Sequence, residues 1–298
     1  MKSSDLEGLF PALVTPIEGD EVNVTCLKKL TRFVLDNGAD GVLVLGGTGE
    51  YAALSKKQRI DAIETVIKEA GNKPVIVGIL APGFEDAVEM GKISEEMGAE
   101  AVMLLTPYYV IPKQEGIIKY YLEFMKKVKL PMILYNIPYR TNVNIEPKTV
   151  YLLLKQSSQI IGIKECTPSI NQASHLLELI KDRMTFLCGE EHLLFPELVM
   201  GAKGAILATA CIFPQIWKDM MLSVKTGNIN RAREIYFKMN PLLRTVFAET
   251  NPGPLKEAMK FAGMDVGPVL KPLLSPDVQS VNQLHNIVDE VKEWYKNF

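Results

Sequence analysis

A lysine at the end of a short apolar run is the residue in this sequence most suited to chemistry. Residues 160–163 are Ile-Ile-Gly-Ile, and Lys164 and Glu165 follow at once. A run this short and this rich in β-branched residues predicts a strand that is buried on both faces. Because burial of an unpartnered ammonium is costly, the lysine either has a chemical function, or escapes to solvent, or pairs with Glu165.

The reaction that such a lysine supports is amine catalysis. Burial disfavours the charged form of a lysine, so more of the side chain is the neutral, nucleophilic amine. A neutral amine attacks a ketone and forms a Schiff base. The protonated imine then withdraws electrons and acidifies the neighbouring carbon, and nearby tyrosine hydroxyls can carry the protons that the reaction moves.

Polar residues also follow other apolar runs that predict strands. Three such sets are the segments 46–50 (Gly-Gly-Thr-Gly-Glu), 106–109 (Thr-Pro-Tyr-Tyr) and 135–140 (Tyr-Asn-Ile-Pro-Tyr-Arg). The N–H groups of the first segment and the Thr48 hydroxyl could hold the carboxylate of a keto acid, and Arg140 could bind a second carboxylate. The simpler alternatives are a flexible turn, a core Tyr135, a surface Arg140 and a Tyr109 that packs against a partner subunit.

A repeated unit of helix, glycine and strand positions these segments. Gly38, Gly98 and Gly201 each stand between an amphipathic stretch and an apolar run. Glycine suits the left-handed position just past a helix end, so each unit predicts a helix followed by a parallel strand. The complete pattern predicts eight strands, at residues 9–14, 42–45, 74–79, 101–105, 131–135, 160–164, 184–188 and 204–208.

Alternation of eight strands with amphipathic helices predicts an α/β protein with the (β/α)8 TIM barrel fold. No G-x-G-x-x-G follows the first strand, which argues against an open dinucleotide-binding sheet. In such a barrel the C-terminal strand ends form the catalytic rim, where the polar segments above are therefore expected. From about Pro214 the pattern is helical only, so we predict a barrel over residues 1–226 and a C-terminal helical domain over residues 227–298.

Composition and charge exclude several classes of function. The 298 residues carry a net charge of −2, and no basic stretch interleaved with aromatic residues suggests a nucleic-acid partner. The four cysteines form no C-x-x-C pair and the three histidines are far apart, which argues against a disulfide scaffold and a metal site. No signal peptide and no membrane-spanning run is visible, so we expect a cytoplasmic protein.

Four motifs together resemble the dihydrodipicolinate synthase / N-acetylneuraminate lyase family of class I, pyruvate-dependent aldolases. The motifs are residues 46–50, 106–109, 135–138 and 162–165, and the likeness extends over nearly the whole chain. The resemblance implies that Lys164 forms a Schiff base with pyruvate, that Tyr135 shuttles protons and that Tyr109 completes the relay, often in a neighbouring subunit. It implies that Thr48 binds the pyruvate carboxylate. It also implies that no cofactor is needed, because the substrate is bound covalently to the lysine.

Within that family the chain leans toward the synthase branch. Synthases carry an arginine two residues after the Y-N-x-P motif, which binds the carboxylate of aspartate semialdehyde, and Arg140 occupies that place. The resemblance therefore implies condensation of pyruvate with this aldehyde, in a homotetramer that is a dimer of dimers. We complete the predicted substrate-binding set with Gly47, Gly49, Gly189 and Ile206.

Departures from the synthase pattern leave the acceptor aldehyde open. Gly47 stands where synthases carry the first of two threonines, which belongs to the proton relay, and Tyr139 replaces a small serine. The alternatives are an aldolase for sugar acids such as 2-keto-3-deoxygluconate, an N-acetylneuraminate lyase, and a catalytically inactive relative that binds a keto acid. Lys56 and Arg59 replace two histidines of the site where many synthases bind inhibitory lysine, so we expect no feedback by lysine.

Overall fold

The computed structural model describes residues 1–296, whose strands and α-helices are numbered in chain order. The strands β1 to β10 are Gly8–Pro11, Ile17–Glu18, Glu21–Val22, Val42–Val44, Val75–Ile79, Ala101–Leu105, Met132–Asn136, Ile160–Glu165, Thr185–Cys188 and Gly204–Leu207. The helices α1 to α12 are Val24–Asp36, Lys56–Ala70, Phe84–Glu96, Gln114–Lys127, Pro138–Thr141, Pro147–Gln156, Ile170–Ile180, Leu194–Val199, Pro214–Lys225, Ile229–Val246, Gly253–Phe261 and Val278–Lys296.

Eight parallel strands form a (β/α)8 barrel, as predicted. Their order in the sheet is β1-β10-β9-β8-β7-β6-β5-β4. Ala12, just past β1, pairs in parallel with Leu43 of β4 and so joins the two ends of that order. All eight predicted strands are present, with ends that differ by a residue or so, except that β1 ends at Pro11 rather than at Val14.

The chain forms two compact units. The first comprises Met1–Gly8 and Pro74–Ile206, and the second comprises Leu9–Lys73 and the chain from Leu207 onward. In the first unit every residue of β5 to β9 is buried, as expected of parallel strands covered on both faces. The second unit contains a small antiparallel hairpin of β2 and β3, which the sequence did not predict because strands of two residues carry no periodic signal.

The three glycines that mark the repeated unit adopt the predicted left-handed conformation. Their φ angles are +102° at Gly38, +87° at Gly98 and +110° at Gly201. Each lies directly after the last turn of a helix; the N–H of Gly98, for example, donates to the Glu95 carbonyl at 3.1 Å. A side chain at these positions would be strained, so glycine ends the helix and lets the following strand begin at once.

Helices continue the chain after β10. Helix α9 follows β10 as the eighth helix of the barrel, and α10 to α12 form the C-terminal appendage. Gly227, with φ of +80°, separates α9 from α10, and the Asn228 side chain accepts from the N–H of Arg231 to cap α10. The division into domains at residue 226 stays a proposal. No helix within residues 1–296 is long and apolar enough to cross a membrane.

A buried carboxyl group joins α8 to β9. Glu197 of α8 has no exposed surface, and the Cys188 thiol of β9 lies beside it. Burial raises the pKa of Glu197 to about 8, while the neighbouring Cys188 side chain acts in the opposite direction. The side chain is therefore largely protonated below neutral pH in the folded protein.

We predict that Glu197 makes the protein less stable as the pH rises. The pKa of Glu197 is above its ordinary value of 4.5 in the folded state, so the folded protein holds an extra proton between about pH 4.5 and about pH 8. The stabilisation that Glu197 provides is complete below this interval. It decreases as the pH rises through the interval, by at most about 1.4 kcal/mol per pH unit. Urea unfolding across the interval should show that Glu197→Gln loses less stability than the wild type. The exposed control Glu178→Gln should follow the wild type; parallel curves for all three proteins would contradict the prediction.

Candidate active site

Lys164 and Tyr135 lie side by side on neighbouring strands. The register of β7 and β8 pairs Tyr135 with Lys164, and the Lys164 Nζ atom is 4.8 Å from the centroid of the Tyr135 ring. The two residues are only 7% and 4% exposed. The structure thus brings a buried amine and a buried phenol together at the C-terminal ends of two strands, as the sequence predicted.

Lys164 does not pair with Glu165, so that interpretation of the sequence is wrong. Successive side chains of a strand point to opposite faces, and Glu165 points away from the lysine. Its carboxylate accepts hydrogen bonds from the Asn136 side chain at 3.0 and 3.1 Å, from the Thr167 N–H at 2.8 Å and from the Gln172 side chain at 3.2 Å. Within residues 1–296, Lys164 makes no ion pair.

The Glu165 carboxylate is the centre of a buried polar network. Burial raises the pKa of Glu165, while hydrogen bonds from Thr167, Asn136 and Gln172 act against this rise. Asn136 also accepts from the N–H of Ile145 at 2.9 Å, which attaches the segment after β7 to the strand ends. The sequence analysis assigned no role to Asn136 and considered Glu165 only as a partner of Lys164. The signal for this network was that each of the two directly follows a candidate catalytic residue on a buried strand.

Gly189 leaves room for the lysine side chain. A Cβ atom at this position would lie 2.4 Å from Cys166 Sγ and 2.7 Å from Lys164 Cε. Any larger residue would therefore displace the lysine or the thiol. We call Lys164, Tyr135, Cys166 and Gly189 the lysine cluster. Ile206, another predicted binding residue, is buried in β10.

Arg140 lies in the short helix α5, close to Tyr135. Pro138 begins this helix, and the Thr141 hydroxyl lies 3.1 Å from the carbonyl of Ile137. The Arg140 side chain is exposed. Burial raises the pKa of Tyr135 well above its ordinary value, and the nearby Arg140 charge opposes this. Tyr135 is therefore protonated at neutral pH.

Tyr109 lies at the surface of the loop after β6. Its side chain is 94% exposed, and the next two residues, Val110 and Ile111, are 74% and 57% exposed. The neighbouring Tyr108 instead turns inward, where its hydroxyl donates to the Leu80 carbonyl at 3.0 Å. Tyr109 has a φ of +71°, in the left-handed region, so the backbone turns at this residue instead of continuing in an extended conformation. The role of Tyr109 in proton transfer stays a prediction.

In the second unit, residues 46–50 form a compact turn that we call the glycine loop. The Thr48 side chain is 6% exposed, and its hydroxyl accepts a hydrogen bond from Asn251 at 2.9 Å. A Cβ atom on Gly49 would lie 3.1 Å from the Leu13 carbonyl oxygen, so glycine permits the close approach of two backbones. Gly47 is half-buried. The sequence analysis did not anticipate Asn251, which is remote from the loop along the chain.

A buried ion pair anchors the glycine loop. Lys256 Nζ lies 2.6 Å from the Glu50 carboxylate and donates to the carbonyls of Thr15 at 3.0 Å and Pro268 at 2.7 Å. The other Glu50 oxygen accepts from the N–H of Leu270 at 2.6 Å. Burial lowers the pKa of Lys256, while the Glu50 charge raises it. Glu50 has a φ of +56°, a strained value for this residue, and the ion pair holds it there.

Candidate metal ligands do not cluster in the part of the chain that the structure describes. Within residues 1–296, no group of three or more histidine, cysteine, aspartate or glutamate side chains could hold a metal ion. The chemistry of the lysine cluster is that of an amine, a phenol and a thiol.

Sequence comparisons identify relatives over nearly the whole chain. The family model described as "Dihydrodipicolinate synthetase family" matches residues 5–291. A 4-hydroxy-tetrahydrodipicolinate synthase from Methanocaldococcus jannaschii is 37% identical over 287 residues, which are 96% of this chain and 98% of that protein. A synthase of the same name from Geobacter metallireducens is 34% identical and covers 95% of this chain and 98% of its own length.

Solved structures give the same result. The crystal structure of a dihydrodipicolinate synthase from Thermotoga maritima superposes with a TM-score of 0.94 at 30% identity, over 96% of this chain and 99% of that one. The enzyme of that name from Aquifex aeolicus has a TM-score of 0.92 at 31% identity, over 96% of this chain and 98% of its own. These matches confirm the fold and the family that the sequence motifs predicted.

We predict that the ion pair of the glycine loop contributes strongly to stability. Lys256→Met leaves the Glu50 carboxylate buried without its counter-charge, which should lower the free energy of unfolding by about 3–5 kcal/mol. The double variant Lys256→Met/Glu50→Gln should lose less than the sum of the two single variants. Urea unfolding measures all three. Lys126→Met, which removes an exposed pair with Glu123, serves as the control and should change nothing measurable; additive losses at the buried pair would refute the prediction.

Proposed function

Because the chain belongs to the dihydrodipicolinate synthetase family, we propose that it is a 4-hydroxy-tetrahydrodipicolinate synthase, which condenses pyruvate with aspartate semialdehyde. The observation that carries this proposal is the Lys164 amine, which is buried beside the Tyr135 phenol and has no ion pair within residues 1–296. An amine in this setting is suited to attack a keto acid. The proposed reaction needs no cofactor, because the lysine itself carries the substrate.

Lys164 is the proposed nucleophile. Its amine attacks the carbonyl carbon of pyruvate, and loss of water gives a protonated imine. Loss of a methyl proton converts the imine into an enamine, whose carbon then attacks the aldehyde. Tyr135 is protonated at neutral pH and adjoins the amine, so it is placed to give a proton to the departing water and to take one from the methyl group.

The substrate carboxylates have separate proposed partners. The Thr48 hydroxyl accepts its hydrogen bond from Asn251, which leaves its own hydrogen available for the pyruvate carboxylate. Gly47 and Gly49 would supply backbone N–H groups to the same carboxylate. Gly189 and Ile206 complete the proposed binding set. The assignment of Gly47 and Gly49 rests on the family motif of residues 46–50, and Gly189 and Ile206 lie at the end of β9 and in β10.

Arg140 is the proposed partner of the aldehyde substrate. Its guanidinium is exposed and close enough to Tyr135 to affect the pKa of that phenol, so a carboxylate bound to it would hold the aldehyde near the reacting groups. Tyr139, the neighbouring residue, is 60% exposed and would border the same substrate.

We further propose that the active form is a homotetramer, a dimer of dimers, in the cytoplasm. Support comes from the loop after β6, where Tyr109, Val110 and Ile111 expose a continuous apolar segment to solvent. Contact with a second subunit would cover this segment and could bring the Tyr109 hydroxyl into the proton relay.

Reduction with borohydride tests the proposed nucleophile. Incubation with pyruvate and borohydride should add one reduced pyruvate to the intact protein, and peptide mapping should locate it on Lys164. Lys164→Ala should abolish the adduct, because no other amine of residues 1–296 is buried beside the phenol. The exposed control Lys155→Ala should label like the wild type. An intact, folded wild-type protein that forms no adduct would refute the pyruvate aldolase chemistry and favour an inactive keto-acid-binding relative.

Substitution of Arg140 tests the choice of aldehyde. Arg140→Ala should lower kcat/KM for aspartate semialdehyde by about 10- to 100-fold, the loss expected for a hydrogen bond to a charged group, while the pyruvate adduct still forms. Arg183→Ala, another exposed arginine, serves as the control. Semialdehyde turnover that Arg140→Ala leaves untouched would contradict the role, and preferred turnover of 2-keto-3-deoxygluconate or N-acetylneuraminate would identify the substrate class instead.

A further inference from the structure

The Cys166 thiol lies near both Lys164 and Tyr135 of the lysine cluster. Cys166 is 1% exposed, and its side chain lies near enough to Tyr135 to add to the effect of burial in raising the pKa of that phenol. Cys166 Sγ and Lys164 Cε both lie next to Gly189, 2.4 Å and 2.7 Å from the place where a Cβ atom of that residue would be. The thiol is thus a direct neighbour of the amine's side chain and of the phenol.

The backbone holds Cys166 in this place. Lys164 and Cys166 are two residues apart along an extended segment, so they face the same side, whereas Glu165 faces the other. The N–H of Cys166 donates to the Asn136 carbonyl at 2.9 Å, which continues the ladder between β7 and β8 by one further bond. The same ladder holds Tyr135 level with Lys164. The sulfur therefore has a fixed position relative to the Tyr135 hydroxyl.

The thiol is neutral under physiological conditions. Burial raises the pKa of Cys166 to about 12, against the opposing charge of Lys164. A neutral thiol is neither a nucleophile nor an ion-pair partner for the lysine. What remains is its capacity as a weak hydrogen-bond acceptor, and the nearby Tyr135 hydroxyl is a donor that it could serve.

We propose that Cys166 is a positioning residue for the proton transfers of Tyr135. This inference rests on the proposed function and deepens it. In the free enzyme the sulfur accepts the Tyr135 O–H and so orients the phenol beside Lys164. When pyruvate has added to the amine, Tyr135 gives that proton to the carbinolamine hydroxyl, which leaves as water, and then recovers a proton from the methyl carbon as the enamine forms. Because sulfur is a weak acceptor, the hydroxyl can leave it for the substrate oxygen at little cost.

Exchange of the pyruvate methyl protons in D2O, followed by NMR, tests this proposal without any aldehyde. Cys166→Ala should slow exchange by about tenfold, as expected when one orienting hydrogen bond of average strength is lost, with KM for pyruvate unchanged within about twofold. Cys166→Ser, which keeps an acceptor at this position, should stay within about threefold of the wild type. Cys188→Ala is the matched control, since this buried thiol on the adjacent strand donates to the Glu190 carbonyl instead.

Three outcomes would overturn the proposal: wild-type exchange in Cys166→Ala, an equal loss in Cys166→Ser, or an equal loss in Cys188→Ala.

If Cys166→Ala does not fold, protein labelled with 13C at the tyrosine Cζ atoms decides the matter. The Tyr135 resonance, assigned with Tyr135→Phe, should shift in Cys166→Ser and not in Cys188→Ala, and an unmoved resonance would also overturn the proposal. A wild-type protein that exchanges no protons would refute the proposed function, and the Tyr135 resonance would still show whether the hydrogen bond exists.

Discussion

The structure depends on the alternation of side chains along β8. This strand must carry an amine into the barrel without giving it a counter-charge, although the next residue is a glutamate. Alternation solves the problem, because Glu165 points to the opposite face and is satisfied there by Asn136, Thr167 and Gln172. The polar network that donates hydrogen bonds to the carboxylate also connects β7 to β8 and keeps Tyr135 level with Lys164. One constraint thus isolates the amine and positions its phenol.

Two buried lysines in this chain show what distinguishes an anchoring amine from a reactive one. Lys256 has a carboxylate and two carbonyl oxygens within hydrogen-bonding distance, so its amine is fully engaged and its stem is fixed. Lys164 is buried to a similar extent, yet its Nζ lies 4.8 Å from the centroid of the Tyr135 ring and makes no ion pair within the described part of the chain. Burial alone therefore does not identify a nucleophile. The absence of a charged partner within residues 1–296, together with a nearby proton carrier, is what separates Lys164 from Lys256.

Local sequence signals predicted most of the fold and only part of the candidate site. A strand is marked by a run of apolar residues, and a helix end by a glycine that follows it within the same short segment. The strands and the left-handed glycines could therefore be predicted from the sequence. The partners of the glycine loop could not, because Asn251 and Lys256 lie some two hundred residues away along the chain and only the folded backbone brings them to Thr48 and Glu50. No periodic pattern encodes a contact of that separation.

The same alternation of side chains continues to Cys166, one residue beyond β8, and determines which face each of these residues points to. Lys164 lies beside Tyr135, Glu165 binds Asn136 on the opposite face, and Cys166 lies beside Lys164 again. On the adjacent strand Cys188 is level with Glu165 and, like it, has polar partners away from the lysine, namely Glu190 and Glu197. Two buried cysteines of the same unit therefore differ in the face on which each lies. Residue type alone could not separate them; their register relative to Lys164 does.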